Sequence, residues 1–456
     1  MRSDLRVMIR TAIAAVALAG LSLAGGSALA EILTLEQAVE RAMLHDARIS
    51  EREKLVQAAQ GLLQEALGSD DLIYDVNAFT GLTTQVDGGF TDPLTTEPRS
   101  DRYKWNGMST WSAVQFSVIK PLYTFGKIEN YADAARENIR IKGQDVRRQR
   151  ADTVIDVSRA YYGYLTARDT RRLFEDVIRR LDKAIVLVRQ WLDSDSGDVR
   201  QSDLFGLQAG RELISNYLNQ AEGVEQVAMA GLRLLTGIES GETIEFADRR
   251  IMPLAVPEQT LEELQSLALK QRPEIQQLEA GLKARRSLVA AKQSEKMPNV
   301  YAGVVGMAAY SPGRERLDNP YIYDPFNDYG ATPLIGIQWQ WASGVQAARV
   351  VQARAELDAL IEKSSFAHGG IAFEVAEQYH QVQAFSRAVQ KLKQASRSAR
   401  RWMVSSYADF EAGIEDAEYA LTAFQGYVLI YSDYLKTVND YNMHVVRLRH
   451  VIGENR

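Results

Sequence analysis

The chain has 456 residues and no cysteine, and its 53 Lys and Arg residues against 59 Asp and Glu residues give a net charge of -6. This acidic balance disfavours a nucleic-acid partner, because proteins that bind nucleic acids present an excess of basic residues. The lack of cysteine excludes disulfides and thiolate metal sites, so packing must stabilise the fold.

The first thirty residues have the pattern of a secretory signal. Arg2, Arg6 and Arg10 precede an apolar run over residues 11–23, which is shorter than the roughly 20 residues of a membrane-spanning helix. We predict a cleavable signal peptide over residues 1–30, whose removal leaves 50 basic and 58 acidic residues and a net charge of -8. No later stretch approaches a helical membrane span, so any membrane crossing by the mature chain requires strands.

The mature sequence repeats itself. The residues Thr34, Leu35 and Glu36 recur as Thr260, Leu261 and Glu262, and matched positions continue in order over some 200 residues. We therefore predict two structural repeats joined by a linker: residues 31–240, the linker 241–259, and residues 260–456.

The sequence of each repeat predicts a helix, two strands and two long helices, in that order. In the first repeat these are a helix over 34–68, strands over about 72–82 and 111–120, and helices over 123–236. In the second they are a helix over 260–297, strands over about 299–310 and 333–341, and helices over 343–453. Residues 122–252 and 334–456 contain no proline, which would cost a helix interior about 3 kcal/mol. A single helix over 127–191 would be roughly 100 Å long, too long for a globule of this size.

The strands alternate apolar and polar residues, which is typical of a sheet with one face toward lipid and the other toward water. On the face directed toward water we predict Gln115, Ser117, Gln338 and Gln340. An aromatic girdle at the membrane surface is predicted from four residues: Trp111, Tyr301, Trp339 and Trp341. Four strands cannot close a barrel, so several copies must share one. A soluble antiparallel sheet with one buried face alternates in the same way and stays an alternative.

Four segments, in this order, carry a resemblance to a known family: residues 33–38 (LTLEQA), 121–127 (PLYTFGK), 157–162 (VSRAYY) and 234–237 (LLTG). Together they resemble the TolC-like outer-membrane efflux channel family, over essentially all of residues 31–456. The resemblance implies a mainly α fold with a small membrane β part. Three chains would each give four strands to a shared 12-stranded β-barrel, which continues into a periplasmic α-barrel of long duplicated helices.

The same resemblance implies a function without chemistry. A homotrimer in outer-membrane lipid of a Gram-negative cell, with a large periplasmic portion, would passively conduct drugs, metal ions or proteins. It would receive them from an inner-membrane transporter through a periplasmic adaptor, in tripartite efflux or type I secretion. No catalytic residue, cofactor or metal site is expected.

The turns between the long helices would then be the periplasmic entrance of the channel. Their residues are acidic, and a threefold ring of carboxylates would attract cations: Asp193, Asp195, Asp198, Asp203, Asp409, Glu411, Glu415, Asp416 and Glu418. The family's two gating aspartates would fall at Tyr419 and Thr422, so that ring is missing here. Our hypothesis is that Glu415, Asp416 and Glu418 replace it. Ordinary solvated helix ends are the alternative for these acidic residues.

Other signals are weak. The acidic segment 193–198 lacks the glycine and the glutamate of a calcium loop, and the five histidines form no metal-binding motif. Two other classes of protein stay open from the sequence: a soluble periplasmic coiled-coil adaptor or scaffold, and a periplasmic hydrolase or binding protein.

Overall fold

A computed structural model describes residues 31–85, 107–194, 199–239, 241–316 and 323–454, together with residues 94, 95, 97 and 321. The predicted signal peptide over residues 1–30 lies outside the described residues. Within them the chain is mainly helical, as predicted.

The two halves of the chain have the same order of elements. The first half contains β1 (Glu31–Leu33), α1 (Leu35–His45), α2 (Ala47–Gly68), β2 (Ile73–Thr84), β3 (Met108–Tyr123), α3 (Lys127–Asp193) and α4 (Gln201–Thr236). The second contains β4 (Ile244–Phe246), α5 (Leu261–Gln271), α6 (Pro273–Ser294), β5 (Asn299–Tyr310), β6 (Tyr329–Gln338), α7 (Ser343–Glu411) and α8 (Ala417–Val451). The long helices α3 and α7 have 67 and 69 residues.

The repeated threonines begin equivalent helices by the same chemistry. The Thr34 hydroxyl accepts a hydrogen bond from the backbone N–H of Gln37, whose side chain accepts one from the N–H of Thr34. Thr260 and Glu263 form the same pair of bonds in the second half. This reciprocal arrangement satisfies backbone donors that a helix N-terminus leaves free. It explains why these residues recur at the same offset.

Two predicted helices are interrupted, which corrects the ranges 34–68 and 260–297. The first breaks at Asp46, whose backbone is extended and whose buried carboxylate accepts a hydrogen bond from Thr153 at 2.6 Å. The second breaks at Arg272, which is also extended and precedes Pro273. A proline ring disfavours the helical conformation of the preceding residue. The second break therefore had a signal in the sequence, whereas the first depends on a distant hydroxyl.

The linker predicted over 241–259 contains structure of its own. Strand β4 pairs in parallel with β1, with Leu33 opposite Phe246. A three-residue pair is too short to produce a recognisable alternation, so the sequence did not predict it. The phenol of Tyr161, buried in α3, donates a hydrogen bond to the Asp248 carboxylate at 2.8 Å.

The residues that follow β4 form an extended segment, 247–254, which we call the linker strap. Buried side chains hold it along its length. The Asp169 carboxylate accepts from the Ile251 N–H at 2.8 Å. Asn442, which is fully buried, accepts from the Leu254 N–H and donates to the Met252 carbonyl, both at 2.9 Å. The strap is therefore fixed through its backbone.

The larger sheet is antiparallel, in the order β2-β3-β5-β6. Strand β6 ends at Gln338, three residues before the predicted limit at 341, and begins earlier, at Tyr329. Each edge strand, β2 or β6, has one neighbour among the described residues. The sheet therefore presents two edges with unpaired backbone groups.

The chain contains two compact units. One comprises the residues up to Ala47, Arg150–Gln265 and Glu374–Arg456, and the other comprises Arg48–Gln149 and Ser266–Phe373. Each unit takes segments from both halves of the chain. The first holds the linker strap and a core between four helices, and the second holds the four-stranded sheet. Among the described helices, no segment combines the length and apolar character that spanning a bilayer demands.

Candidate functional site

The acidic residues predicted at the two long-helix turns lie at one end of the first unit. Leu181 and Val188 of α3, Leu207 of α4, Phe410 of α7 and Phe424 of α8 belong to one buried cluster beneath these turns. In addition, the ring of Trp191 packs edge-on against Phe410, with centroids 5.4 Å apart. The tertiary structure thus brings together carboxylates that are more than 200 positions apart in the chain.

The first turn contributes two described carboxylates. Asp193 is the last residue of α3 and is exposed. Asp203 lies in the first turn of α4, and its carboxylate accepts a hydrogen bond from the Arg200 N–H at 2.8 Å. Asp203 therefore caps a helix as well as carrying charge. Asp195 and Asp198 lie outside the described residues.

The second turn is closed by its backbone. Gly413 follows α7 with φ of +69°, and the Asp409 carbonyl accepts a hydrogen bond from the Ile414 N–H at 2.9 Å. This is the left-handed helix end that favours glycine. Four carboxylates on this turn and the adjoining helix ends are exposed, whereas Asp409 is half-buried: Glu411, Glu415, Asp416 and Glu418. Asp416 is the N-cap residue of α8.

A buried phenol lies below the acidic surface. Burial, together with the nearby Glu411 carboxylate, raises the pKa of Tyr407 to about 12. Tyr407 therefore stays neutral throughout the physiological range.

The two positions predicted for gating aspartates, Tyr419 and Thr422, carry no acidic group. The ring of Tyr419, which is about half exposed, approaches Trp402 edge-on at 6.4 Å. The Thr422 hydroxyl donates to the Glu418 carbonyl at 2.9 Å. An aromatic contact and an intrahelical hydrogen bond thus occupy these two positions.

The register of the large sheet separates its two faces. On the polar face, Asp75 lies opposite Ser117, and Asn77 lies opposite Gln115. Cross-strand neighbours share a face and alternate residues change it. The opposite, apolar face carries a row that runs from Val76 through Phe116 and Gly306 to Ala331.

This register places two residues of the predicted aromatic girdle on the polar face. Trp111 has the parity of Gln115 and Ser117, so it lies on the polar face, and its ring packs against Phe79. Tyr301 lies on that face too, opposite Gly336. Lipid-facing aromatics of a membrane barrel lie on its apolar face, so the face of Trp111 and Tyr301 does not support their place in a girdle, which stays a prediction.

Trp339 and Trp341 remain compatible with such a girdle. They follow the end of β6, stack on each other at 5.1 Å and are 56% and 74% exposed. They keep the parity of Ile335 and Ile337, which are on the apolar face. Among the described residues, no group of three or more acidic or histidine side chains is arranged to hold a metal ion.

One feature of the polar face escaped prediction. Described residues between β5 and β6 contact it, and Phe326 packs against Trp111 with ring centroids 5.5 Å apart. Sequence periodicity carries no signal for this placement, because it concerns residues that are more than 200 positions apart.

Solved structures share this fold over nearly the whole chain. A membrane protein from Pseudomonas aeruginosa is 17% identical, covers 92% of both chains and has a TM-score of 0.74. The CmeC outer membrane channel of Campylobacter jejuni is 13% identical over 92% of this chain and 86% of that chain, with a TM-score of 0.73. The MtrE outer membrane channel of Neisseria gonorrhoeae is 14% identical over 92% and 89%, with a TM-score of 0.71.

The fold is therefore that of outer-membrane channel proteins, with a two-faced sheet carried by long duplicated helices. Residues 264–454 match the sequence profile of the outer membrane efflux protein family. No curated protein matches the chain by sequence. The resemblance that the sequence indicated is confirmed.

Proposed function

We propose that three copies of this chain form a passive exit channel through the outer membrane of a Gram-negative cell. The channel receives its cargo from an inner-membrane transporter and a periplasmic adaptor. One observation carries most weight: a two-faced sheet with two open edges is joined to helices of 67 and 69 residues. In lipid, unpaired edges leave backbone groups unsatisfied at several kcal/mol each. Pairing β6 of one copy with β2 of the next removes both edges.

The apolar face of the sheet supports this proposal over a soluble scaffold. Tyr74, Val76, Ile335 and Ile337 are each at least 67% exposed in the single chain. A soluble scaffold would expose these side chains to water, where an apolar patch of this kind promotes aggregation. In a membrane the same patch contacts lipid chains. Trp339 and Trp341 would then lie at the lipid–water boundary nearest the helices.

The oligomeric channel is tested directly. The protein is expected in the outer-membrane fraction as a species of three chains, detected by native mass spectrometry after detergent extraction. When it is reconstituted in a planar bilayer, it should give discrete conductance steps. A monomer recovered from the periplasm without detergent would contradict the proposal and favour the scaffold.

We also propose that the acidic turns form the cation-attracting entrance. Its support is the exposure of Glu415, Asp416 and Glu418 at one helix junction. Threefold repetition would gather nine carboxylates around one mouth, and charges of one sign concentrate counter-ions there.

Ion selectivity tests the entrance. Glu415→Gln, Asp416→Asn and Glu418→Gln in one chain should reduce the cation preference, measured as the reversal potential in a salt gradient. The Asp416 side chain makes no capping hydrogen bond, and asparagine is as favourable as aspartate at an N-cap position, so the helix is preserved. The matched control replaces three exposed glutamates of the linker region by glutamine: Glu239, Glu242 and Glu245. Unchanged selectivity in the first variant, or an equal change in the control, would contradict the assignment.

A further inference from the structure

Between β5 and β6 the structure describes residues 311–316, 321 and 323–328. We call these residues the β5–β6 loop, and several of them contact the polar face of the sheet. Phe326 packs on Trp111, which in turn packs on Phe79 at 5.0 Å. Both partners have the parity of the polar residues Asn77 and Gln115. The loop is therefore folded inward, over the face that is proposed to line the water-filled path.

A second contact extends this placement along the face. The Tyr323 hydroxyl donates a hydrogen bond to the Met307 sulfur at 2.8 Å, and Met307 is the cross-strand neighbour of Gln115. The phenol ring is 64% exposed. Tyr323 thus lies above the polar face, and most of its surface is available for contact with the cargo of the proposed channel.

Arg314 holds the loop in this position. Its guanidinium lies 4.0 Å from the centroid of the Phe326 ring. The same group donates to the Thr84 carbonyl at 3.1 Å and to the Thr84 hydroxyl at 3.3 Å, at the end of β2. One side chain therefore joins the inward aromatic ring to the rim of the sheet. The cation–π contact of the Arg314 guanidinium stabilises this position in addition to its hydrogen bonds.

Hydrogen bonds within the β5–β6 loop and to the sheet also hold it. The Asn327 side chain accepts from the Ser311 N–H and donates to the Arg314 carbonyl, both at 2.8 Å. The Gly313 N–H donates to the Ser109 hydroxyl at 2.9 Å. Ser311 is 1% exposed. These bonds give the described part of the loop a defined conformation against the sheet.

The geometry points to a second constriction of the channel, at the end of the sheet away from the helices. There, Tyr323 and Phe326 narrow the outer exit and select cargo by size, and Arg314 sets how far they withdraw. This inference rests on the proposed function, because the loop obstructs a path only if three sheets surround one. Aromatic rings from three copies would meet around that path.

The sequence offers a matched control for Arg314. Arg316, two residues later in the same loop, also lies over an aromatic ring, that of Tyr329, at 5.1 Å. Tyr329 shares the parity of Ala331 and Pro333 on the apolar face. The variants Arg314→Ala and Arg316→Ala therefore each remove a cation–π contact, on opposite faces of the sheet, and Arg314→Ala also removes the hydrogen bonds to Thr84.

The absence of cysteine from the chain allows a clean accessibility test. Ser117→Cys places a single thiol on the polar face, one row nearer the helices than Met307. Intact cells are treated from outside with two thiol reagents that do not cross the membrane, a small methanethiosulfonate and a bulky polyethylene glycol maleimide. With the native loop, the small reagent should react readily and the bulky one slowly.

Releasing the loop should change only the bulky reaction. Arg314→Ala should accelerate labelling by the maleimide roughly tenfold, the change in open population expected when one cation–π contact and its hydrogen bonds are lost. Phe326→Ala should do the same by removing the ring itself, which provides a second variant if the first folds poorly. Arg316→Ala should leave both rates unchanged.

The outcomes separate the two proposals. If neither reagent reaches the thiol although the protein is in the outer membrane, the polar face does not line an open path and the proposed channel fails. A second outcome is that the small reagent reacts and the bulky maleimide labels the native, Arg314→Ala and Phe326→Ala proteins at the same rate. In that case the proposed channel stands and the constriction is overturned. An equal acceleration in Arg316→Ala would also overturn the role given to Arg314.

Discussion

The linker strap provides a quantitative test of how the first unit is held together. Replacing Asn442 by leucine keeps a side chain of similar size but removes both partners of the strap backbone. The Leu254 N–H and the Met252 carbonyl, each bonded at 2.9 Å in the native protein, then lose their side-chain partner. A hydrogen bond contributes about 0.5–1.5 kcal/mol, so the loss of both in Asn442→Leu should destabilise the strap by about 1–3 kcal/mol.

Limited proteolysis of the detergent-extracted protein measures this change. Arg250 is exposed and directly precedes buried Ile251, so cleavage there requires the strap to open. When opening is fast, cleavage follows the population of the open state, and about 2 kcal/mol corresponds to roughly a 30-fold faster cut. Lys436→Ala, at an exposed position of the same helix, should leave the rate unchanged. If Asn442→Leu were cleaved at the native rate, the role given to Asn442 in holding the linker strap would be refuted.

Two further predictions concern stability, followed by thermal unfolding in detergent. Gly237 and Gly413 both have φ near +70°, but a Cβ at Gly237 would lie 2.5 Å from the His45 ring, whereas nothing lies within 4 Å at Gly413. Gly413→Ala should therefore cost about 1–2 kcal/mol from backbone conformation alone, and Gly237→Ala should cost clearly more; equal losses would show that the His45 contact is unimportant. For Tyr407, the pKa is raised from its ordinary value of 10.0 to about 12, so the folded state holds the phenolic proton more tightly than the unfolded state. The stabilisation that Tyr407 contributes is complete below pH 10 and is lost as the pH rises to about 12. The Tyr407→Phe variant should therefore lose less stability than the native protein over that interval. Parallel profiles of stability against pH for the two proteins would contradict the assignment.

Local chemistry made much of the fold predictable. The proline-free tracts allowed α3 and α7 to be recognised, because an interior proline removes a hydrogen bond and clashes with the preceding turn. The alternation in β3 indicated a two-faced strand for a similar reason, since successive side chains point to opposite faces. The repeated threonines at Thr34 and Thr260 marked helix starts, which a hydroxyl and a side-chain acceptor three residues later are enough to form.

Local sequence pattern does not decide which face Trp111 and Tyr301 occupy. The parity that predicts Gln115 and Ser117 toward water applies equally to Trp111, for which only the residue type indicated a place in the girdle. The pairing of Tyr301 with Gly336 fixed the face of Tyr301 through a neighbouring strand. For the entrance residues, the sequence indicated two acidic turns, and the buried contact of Trp191 with Phe410 brought the turns to one end of the unit.

The sequence by itself determined the helices, the four strands, the duplication and the acidic character of the long-helix turns, since each depends on residues that are close together in the chain. Tertiary structure decided the break at Asp46, the fixed path of the strap along Asn442 and the inward position of Phe326. Each of these depends on a hydrogen bond or ring contact between residues more than 100 positions apart. Periodicity records which face a residue occupies on its own element, and the identity of its partner on another element emerges when the elements pack.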